Sequence, residues 1–199
     1  MSGTTRERIL DATAAVLRGS GAHRATTKEI AAAAGCSEAL LYKHFVSKAE
    51  LFAAVLAERL PLDPAHRPGT PTPSAGRGDV RNNLCALALA ALAHYETNLR
   101  ALAAFHADPA LLERLGPQDA AADGTCTATG YLRAEQSLGR ISGAADPDAL
   151  AALLLGACLR EAFLAPFAPG QARPEERAAR IVDALLPPLL TEQRTFSST

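Results

Sequence analysis

No Cys-x-x-C pair occurs among the four cysteines (Cys36, Cys85, Cys126 and Cys158), and no histidine stands at zinc-ligand spacing from any of them. The usual zinc patterns are thereby excluded, no metal site is expected, and the alanine-rich surroundings suit buried, reduced thiols. G-x-S-x-G, H-E-x-x-H, Walker-type and dinucleotide-type glycine patterns are also missing. Neither an enzyme nor a cofactor is therefore expected. The N-terminus lacks a basic-then-apolar signal segment. The longest apolar run, Ala149–Leu159, is far shorter than the roughly 18–20 residues that span a bilayer. A reducing cytoplasm is the expected setting, and no membrane partner is expected. Strand-like alternation and internal repeats are missing too, which leaves an all-α fold as the expectation.

Charge of one sign is scarce: the net charge is −1, which alone does not suggest nucleic acid. The distribution is uneven, however. Residues 1–60 carry eight Lys/Arg against six Asp/Glu, and residues 61–199 carry twelve against fifteen. All the lysines (Lys28, Lys43 and Lys48) lie in the first part. A mildly basic head on a mildly acidic body has the right sign for a DNA-binding end.

Helix boundaries in that head are clearly marked. Thr4 with Glu7, Thr26 with Glu29, and Ser47 with Glu50 each match the S/T-x-x-E capping box, and Ser37 is a further N-cap. Helix starts are expected near residues 5, 27, 38 and 48. Gly35 stands where a left-handed stop is needed after Ala31–Ala34. The 3.6-residue period turns Ile9, Val16 and Leu17 inward, followed by Ile30, Ala31 and Ala34, then Leu41 and Phe45, then Leu51, Phe52, Val55 and Leu56.

Burying Leu41 and Phe45 turns the other face of the third helix outward. Glu38, Ala39, Leu40 and Lys43 then reach towards base edges, with Tyr42 and His44 beside them as phosphate donors. Lys48, Ser37, Thr26 and Thr27 open helices, where amides and hydroxyls suit phosphate. Each residue also has a plainer reading. Tyr42 and Phe45 fit a core, Glu38 complements the helix dipole as well as it reads cytosine, and Leu40 suits either a thymine methyl or burial against the first helix.

Thr26, Ile30-Ala31, Ala34-Gly35, Ser37, Leu41-Tyr42, His44-Phe45, Ser47-Lys48 and Leu51 together resemble the DNA-binding domain of the TetR family of bacterial transcriptional regulators. The resemblance covers roughly residues 5–60. It implies an N-terminal three-helix, helix-turn-helix domain whose second motif helix reads DNA, and a larger helical domain that binds small molecules and dimerises. Cys36 departs from the aliphatic residue commoner at its position.

Five prolines and three glycines between Pro61 and Asp79 mark a linker over residues 61–79, with a ligand-binding and dimerisation domain expected over 80–199. There, Asp79, Asp108-Pro109 and Asp146-Pro147 read as helix starts, with a helix break before Leu99 and a helix resuming near Thr127. The helix over Asp148–Phe163 is apolar on most sides, and the last helix starts near Pro174 and is interrupted at Pro187-Pro188. These two are expected to pair across a two-fold axis as a homodimer. A hydrophobic small-molecule effector is expected among Cys85, Leu89, Leu92, Tyr95, Phe105, His106, Cys126 and Tyr131, each of which also suits ordinary core packing. The expected function is a ligand-responsive regulator that represses from a palindromic double-stranded DNA operator. The alternative is a protein-interaction module that reuses the helix-turn-helix without touching DNA.

Overall fold

Hydroxyl and carboxylate groups set the helix starts of the head as the sequence predicts. The computed structural model describes residues 4–21, 25–60, 73–106, 113, 127–167, 170 and 172–189, and among these all regular secondary structure is helical. Helices α1 (Thr5–Ser20), α2 (Thr27–Ala33), α3 (Glu38–His44) and α4 (Lys48–Arg59) follow one another closely. Thr4 and Thr26 form complete capping boxes with Glu7 and Glu29. Ser47 caps α4 by accepting from the Glu50 amide at 3.1 Å, while the Glu50 carboxylate accepts from the amide of Val46 at 2.6 Å.

Beyond the head come α5 (Val80–His106), α6 (Thr127–Ser137), α7 (Pro147–Leu164), a short 3-10 turn (Ala165–Phe167) and α8 (Pro174–Leu189). Asp79 caps α5 by accepting from the Asn82 amide, and Asp146 caps α7 with Pro147 at its first position. The break expected before Leu99 is not there, because α5 runs unbroken for 27 residues. No glycine or proline interrupts that span. The polar Glu96-Thr97-Asn98 triplet, which reads as a boundary, instead turns Asn98 inward, where its Oδ1 accepts from Arg18 Nε at 2.7 Å. Likewise α8 continues through Pro187 and Pro188 to Leu189. Proline removes an amide from the ladder, but its fixed φ is helical, so a final turn can stay wound. The start at Asp108-Pro109 and most of the linker, residues 61–72, lie outside the described residues.

Two compact units result. One comprises Met1–Arg67 with Glu96–Gly124, and the other Pro68–Tyr95 with Thr125–Thr199. The first unit buries Ile9, Leu10, Leu17, Ile30, Leu41, Phe45, Leu51 and Phe52 in one core, and Ala101 and Phe105 from the tail of α5 join it. Two ion pairs tie α1 to α4, namely Arg6 to Glu58 and Arg59 to Asp11.

In the second unit Leu84, Ala88 and Leu92 of α5, Leu132 of α6, Leu150, Leu154 and Cys158 of α7, and Ala178 and Val182 of α8 are buried. The Cys158 thiol donates to the Ala88 carbonyl at 3.6 Å, and burial pushes its pKa up to about 12. Arg81 on α5 grips Asp183 on α8 through two bonds of 2.6 and 2.8 Å. One side of α7 remains bare: Leu153 is 59% exposed and Phe163 56%, with Phe167 just beyond at 74%. The uninterrupted apolar run is short, as the sequence indicates. The continuous segment Pro147–Phe167 is nonetheless long and apolar enough, by length and composition alone, to cross a membrane, although Asp148, Arg160 and Glu161 lie within it.

Candidate nucleic-acid interface

The turn between α2 and α3 is built from backbone alone. Gly35 takes φ +64°, its amide donates to the Ala32 carbonyl at 3.1 Å, and the Cys36 amide donates to Ala31 at 2.9 Å. This pair of crossed bonds is a Schellman stop, which satisfies two carbonyls that the end of α2 would otherwise leave open. Ser37 then starts α3 at once, its Oγ accepting from the Leu40 amide at 3.2 Å. The four residues from Ala34 to Ser37 thus turn the chain and set the second motif helix against the first.

Packing decides which way α3 faces. Leu41 is fully buried and Phe45 is 2% exposed, four residues apart on one side. Glu38, Ala39, Tyr42, Lys43 and His44 are consequently exposed, Tyr42 at 48%. Leu40 is half-buried, between the two expectations for it. Thr26, Ser37 and Lys48 are exposed and Thr27 is half-buried. The ten candidate residues therefore lie on α2, α3 and the start of α4 in one short stretch of chain, and none of them is core. Lys48 also lies over the Phe52 ring, its Nζ 5.1 Å from the centroid, so its aliphatic stem is packed while its charge stays in solvent.

Two further residues complete the geometry. Val46, directly after α3, is 86% exposed. Its only signal in the sequence is an apolar side chain outside every inward stripe. Arg6 of α1 holds its guanidinium 5.5 Å from the Phe45 ring centroid while donating two hydrogen bonds to Glu58. It thereby braces the residue that ends α3 against both α1 and α4. The hydrogen bond to Glu58 holds the Arg6 pKa above its ordinary value, and the Glu58 carboxyl is held below its own by the same contact.

The expected effector residues divide differently. Leu92, Tyr95 and Tyr131 are buried in the second unit, and Cys85 and Leu89 are half-buried there. The Tyr131 hydroxyl accepts from Asn83 Nδ2 at 3.0 Å, and burial pushes its pKa up to about 12. Phe105, expected beside an effector, is instead a core residue of the first unit, and His106 at the end of α5 is exposed. The reason is the unbroken α5, which carries both past the boundary between the units. Cys126 lies outside the described residues.

Residues 9–55 match the N-terminal domain described as "Bacterial regulatory proteins, tetR family". The head of this chain is thus similar to the DNA-binding domain of the TetR family. Its curated relatives include the nucleoid occlusion factor SlmA of Idiomarina loihiensis, 51% identical over 51 residues, and that of Photorhabdus laumondii, 50% identical over 52. Each alignment covers 26% of both chains, so the likeness spans about a quarter of those relatives. Solved structures extend the fold to nearly the whole chain. A TetR-family transcriptional regulator of Mesorhizobium loti aligns over 94% of this chain and 97% of its own, with a TM-score of 0.74 and 23% identity. A transcriptional regulator of Rhodococcus sp. RHA1 covers 94% and 99%, with a TM-score of 0.71 and 25% identity. The fold shared with these structures thus extends beyond the head, and the head matches a domain of bacterial regulatory proteins.

Proposed function

We propose that this protein is a TetR-family, ligand-responsive repressor that binds a palindromic operator as a homodimer and is released by a small hydrophobic effector. One observation carries the DNA-binding part: Leu41 and Phe45 are buried while Tyr42, Lys43 and His44 of the same short helix are exposed. A helix so oriented presents groups for base edges and for phosphates at once. Thr26, Ser37 and Lys48 supply the flanking phosphate contacts, and Ala39 and Leu40 take part in sequence choice.

Dimerisation through α7 and α8 is supported by the bare apolar side of α7 at Leu153 and Phe163. A second copy covers such a face and relates two recognition helices by a two-fold axis. Half-buried Cys85 and Leu89, one turn apart on α5, are the candidates best placed to offer surface to an effector. The effector can act only through unequal affinity for the DNA-competent and DNA-incompetent states. The proposed setting is the cytoplasm.

Selection of bound duplexes from a random pool tests the reading. A recovered palindrome is expected, with affinity falling steeply as salt rises. Retention of no duplex at low salt, or a flat salt dependence, overturns it and favours a protein-interaction module.

A further inference from the structure

Thr27 and Glu38, the first residues of α2 and α3, are joined across the turn: the Thr27 hydroxyl donates to Glu38 Oε1 at 2.7 Å. The bond commits the Thr27 proton to a carboxylate, which competes with the phosphate contact the sequence suggests for that hydroxyl. It also holds the carboxylate, taking up one oxygen and leaving Oε2 for another donor. Glu38 is exposed, and among the described residues no cation pairs with it. Its neighbour Ala39, also exposed, ends at a methyl and screens little.

A carboxylate held in this way on a DNA-facing surface, with no cation paired to it among the described residues, is repelled by phosphates and by the acceptors of guanine and thymine. The major groove offers it two donors, the N4 amino group of cytosine and the N6 amino group of adenine. Adenine sets the N7 acceptor beside its donor, which opposes a second carboxylate oxygen; cytosine has no such neighbour. The first residues of a recognition helix are those that meet base edges.

Resting on the DNA-binding reading above, we infer that Glu38 reads a cytosine in each operator half-site. Thr27 is then a positioning residue that holds the carboxylate in its reading orientation. Glutamate is a specificity device in this place, since it weakens binding to every duplex lacking the donor.

Duplex selection with the full-length wild type, Glu38→Gln and Thr27→Val tests this, followed by competition between duplexes differing at the selected position. Both side chains are at or near the surface and neither supplies an N-cap, so the variants are expected to fold. The wild type is expected to fix cytosine at one position per half-site. Glu38→Gln is expected to move that position to adenine, whose N6 and N7 match a carboxamide, and to lower the cytosine-over-adenine preference by about tenfold or more. Thr27→Val is expected to lower the same preference several-fold and leave other positions unchanged. An unaltered site after Glu38→Gln overturns the inference alone. A uniform loss on all duplexes after Thr27→Val returns Thr27 to a phosphate contact and overturns its positioning role. If the wild type retains no duplex at low salt, the underlying DNA-binding reading falls, and this one with it.

Discussion

The ring of Phe105 stands edge-on to that of Phe52, their centroids 5.8 Å apart and their planes at 82°. The contact inserts the tail of α5 into the core that holds α3, so the folding unit of the head is longer than its first sixty residues. Phe105→Ala removes a buried ring and is expected to cost roughly 3–5 kcal/mol in the stability of that unit. A fragment ending at Leu60 exposes the same surface and is expected to be poorly folded. Urea unfolding followed by far-UV circular dichroism measures both. A fragment as stable as the full chain would remove Phe105 from the core's requirements.

Tyr42→Phe and Lys48→Ala are expected to weaken binding to all duplexes about equally, since a phenol and an ammonium meet phosphate without reading sequence. Lys48→Ala also lowers the slope of log affinity against log salt by about one. Substitutions at Ala39 or Leu40 are instead expected to change which duplex is preferred. Competition against an operator-variant library separates the two behaviours. An unchanged preference after replacing both Ala39 and Leu40 defeats their assignment.

Glu58 gives the head an acid-sensitive brace. Hydrogen bonding from Arg6 holds its carboxyl below the ordinary value of 4.5, so the folded state releases this proton more readily than the unfolded chain. The resulting stability is present in full above pH 4.5 and disappears as pH falls through the lower folded-state value. Glu58→Gln is therefore expected to be less stable than the wild type at neutral pH, with the gap closing in acid. Both partners are partly exposed, which keeps the effect small. Urea titrations across that range measure it; a gap independent of pH would show that the charge of Glu58 contributes nothing.

Leu153→Glu and Phe163→Glu place a carboxylate on the bare side of α7. Burying it unpaired in a two-fold interface costs several kcal/mol, so the dimer dissociation constant is expected to rise by about a hundredfold or more. Sedimentation equilibrium reads this directly. Affinity for a full palindrome should fall with it, while affinity for a single half-site should not. A dimer that persists in both variants would place the interface elsewhere.

Local chemistry made the head legible. A hydroxyl followed three residues later by glutamate, or Ser37 alone, marks a helix start because it meets orphan amides, and the starts at Thr5, Thr27, Glu38 and Lys48 follow. The inward pair Leu41 and Phe45 likewise follows from period alone, and with it the outward face of α3. The inward stripe of α1 was harder to read, because Leu10 and Ala14 widen it while Val16 is only half-buried. Long-range partners were not legible. Glu96-Thr97-Asn98 looks like a boundary until Arg18, eighty residues earlier in the chain, supplies the partner that allows Asn98 inside. Phe105 suits either a cavity or a core in the sequence, because nothing near it there points to Phe52. The Thr27–Glu38 bond joins residues eleven apart through a turn whose geometry only the structure gives.

The stop at Gly35 is a matter of handedness. A Cβ there would meet nothing within 4 Å, so space is not what reserves the position; the φ of +64° is. An L-alanine must strain by roughly 1–2 kcal/mol to adopt it, whereas its mirror image prefers that very region of backbone space. In a semisynthetic protein, D-alanine at position 35 should therefore stabilise the head without altering the bend between the two motif helices, by removing freedom from the unfolded chain.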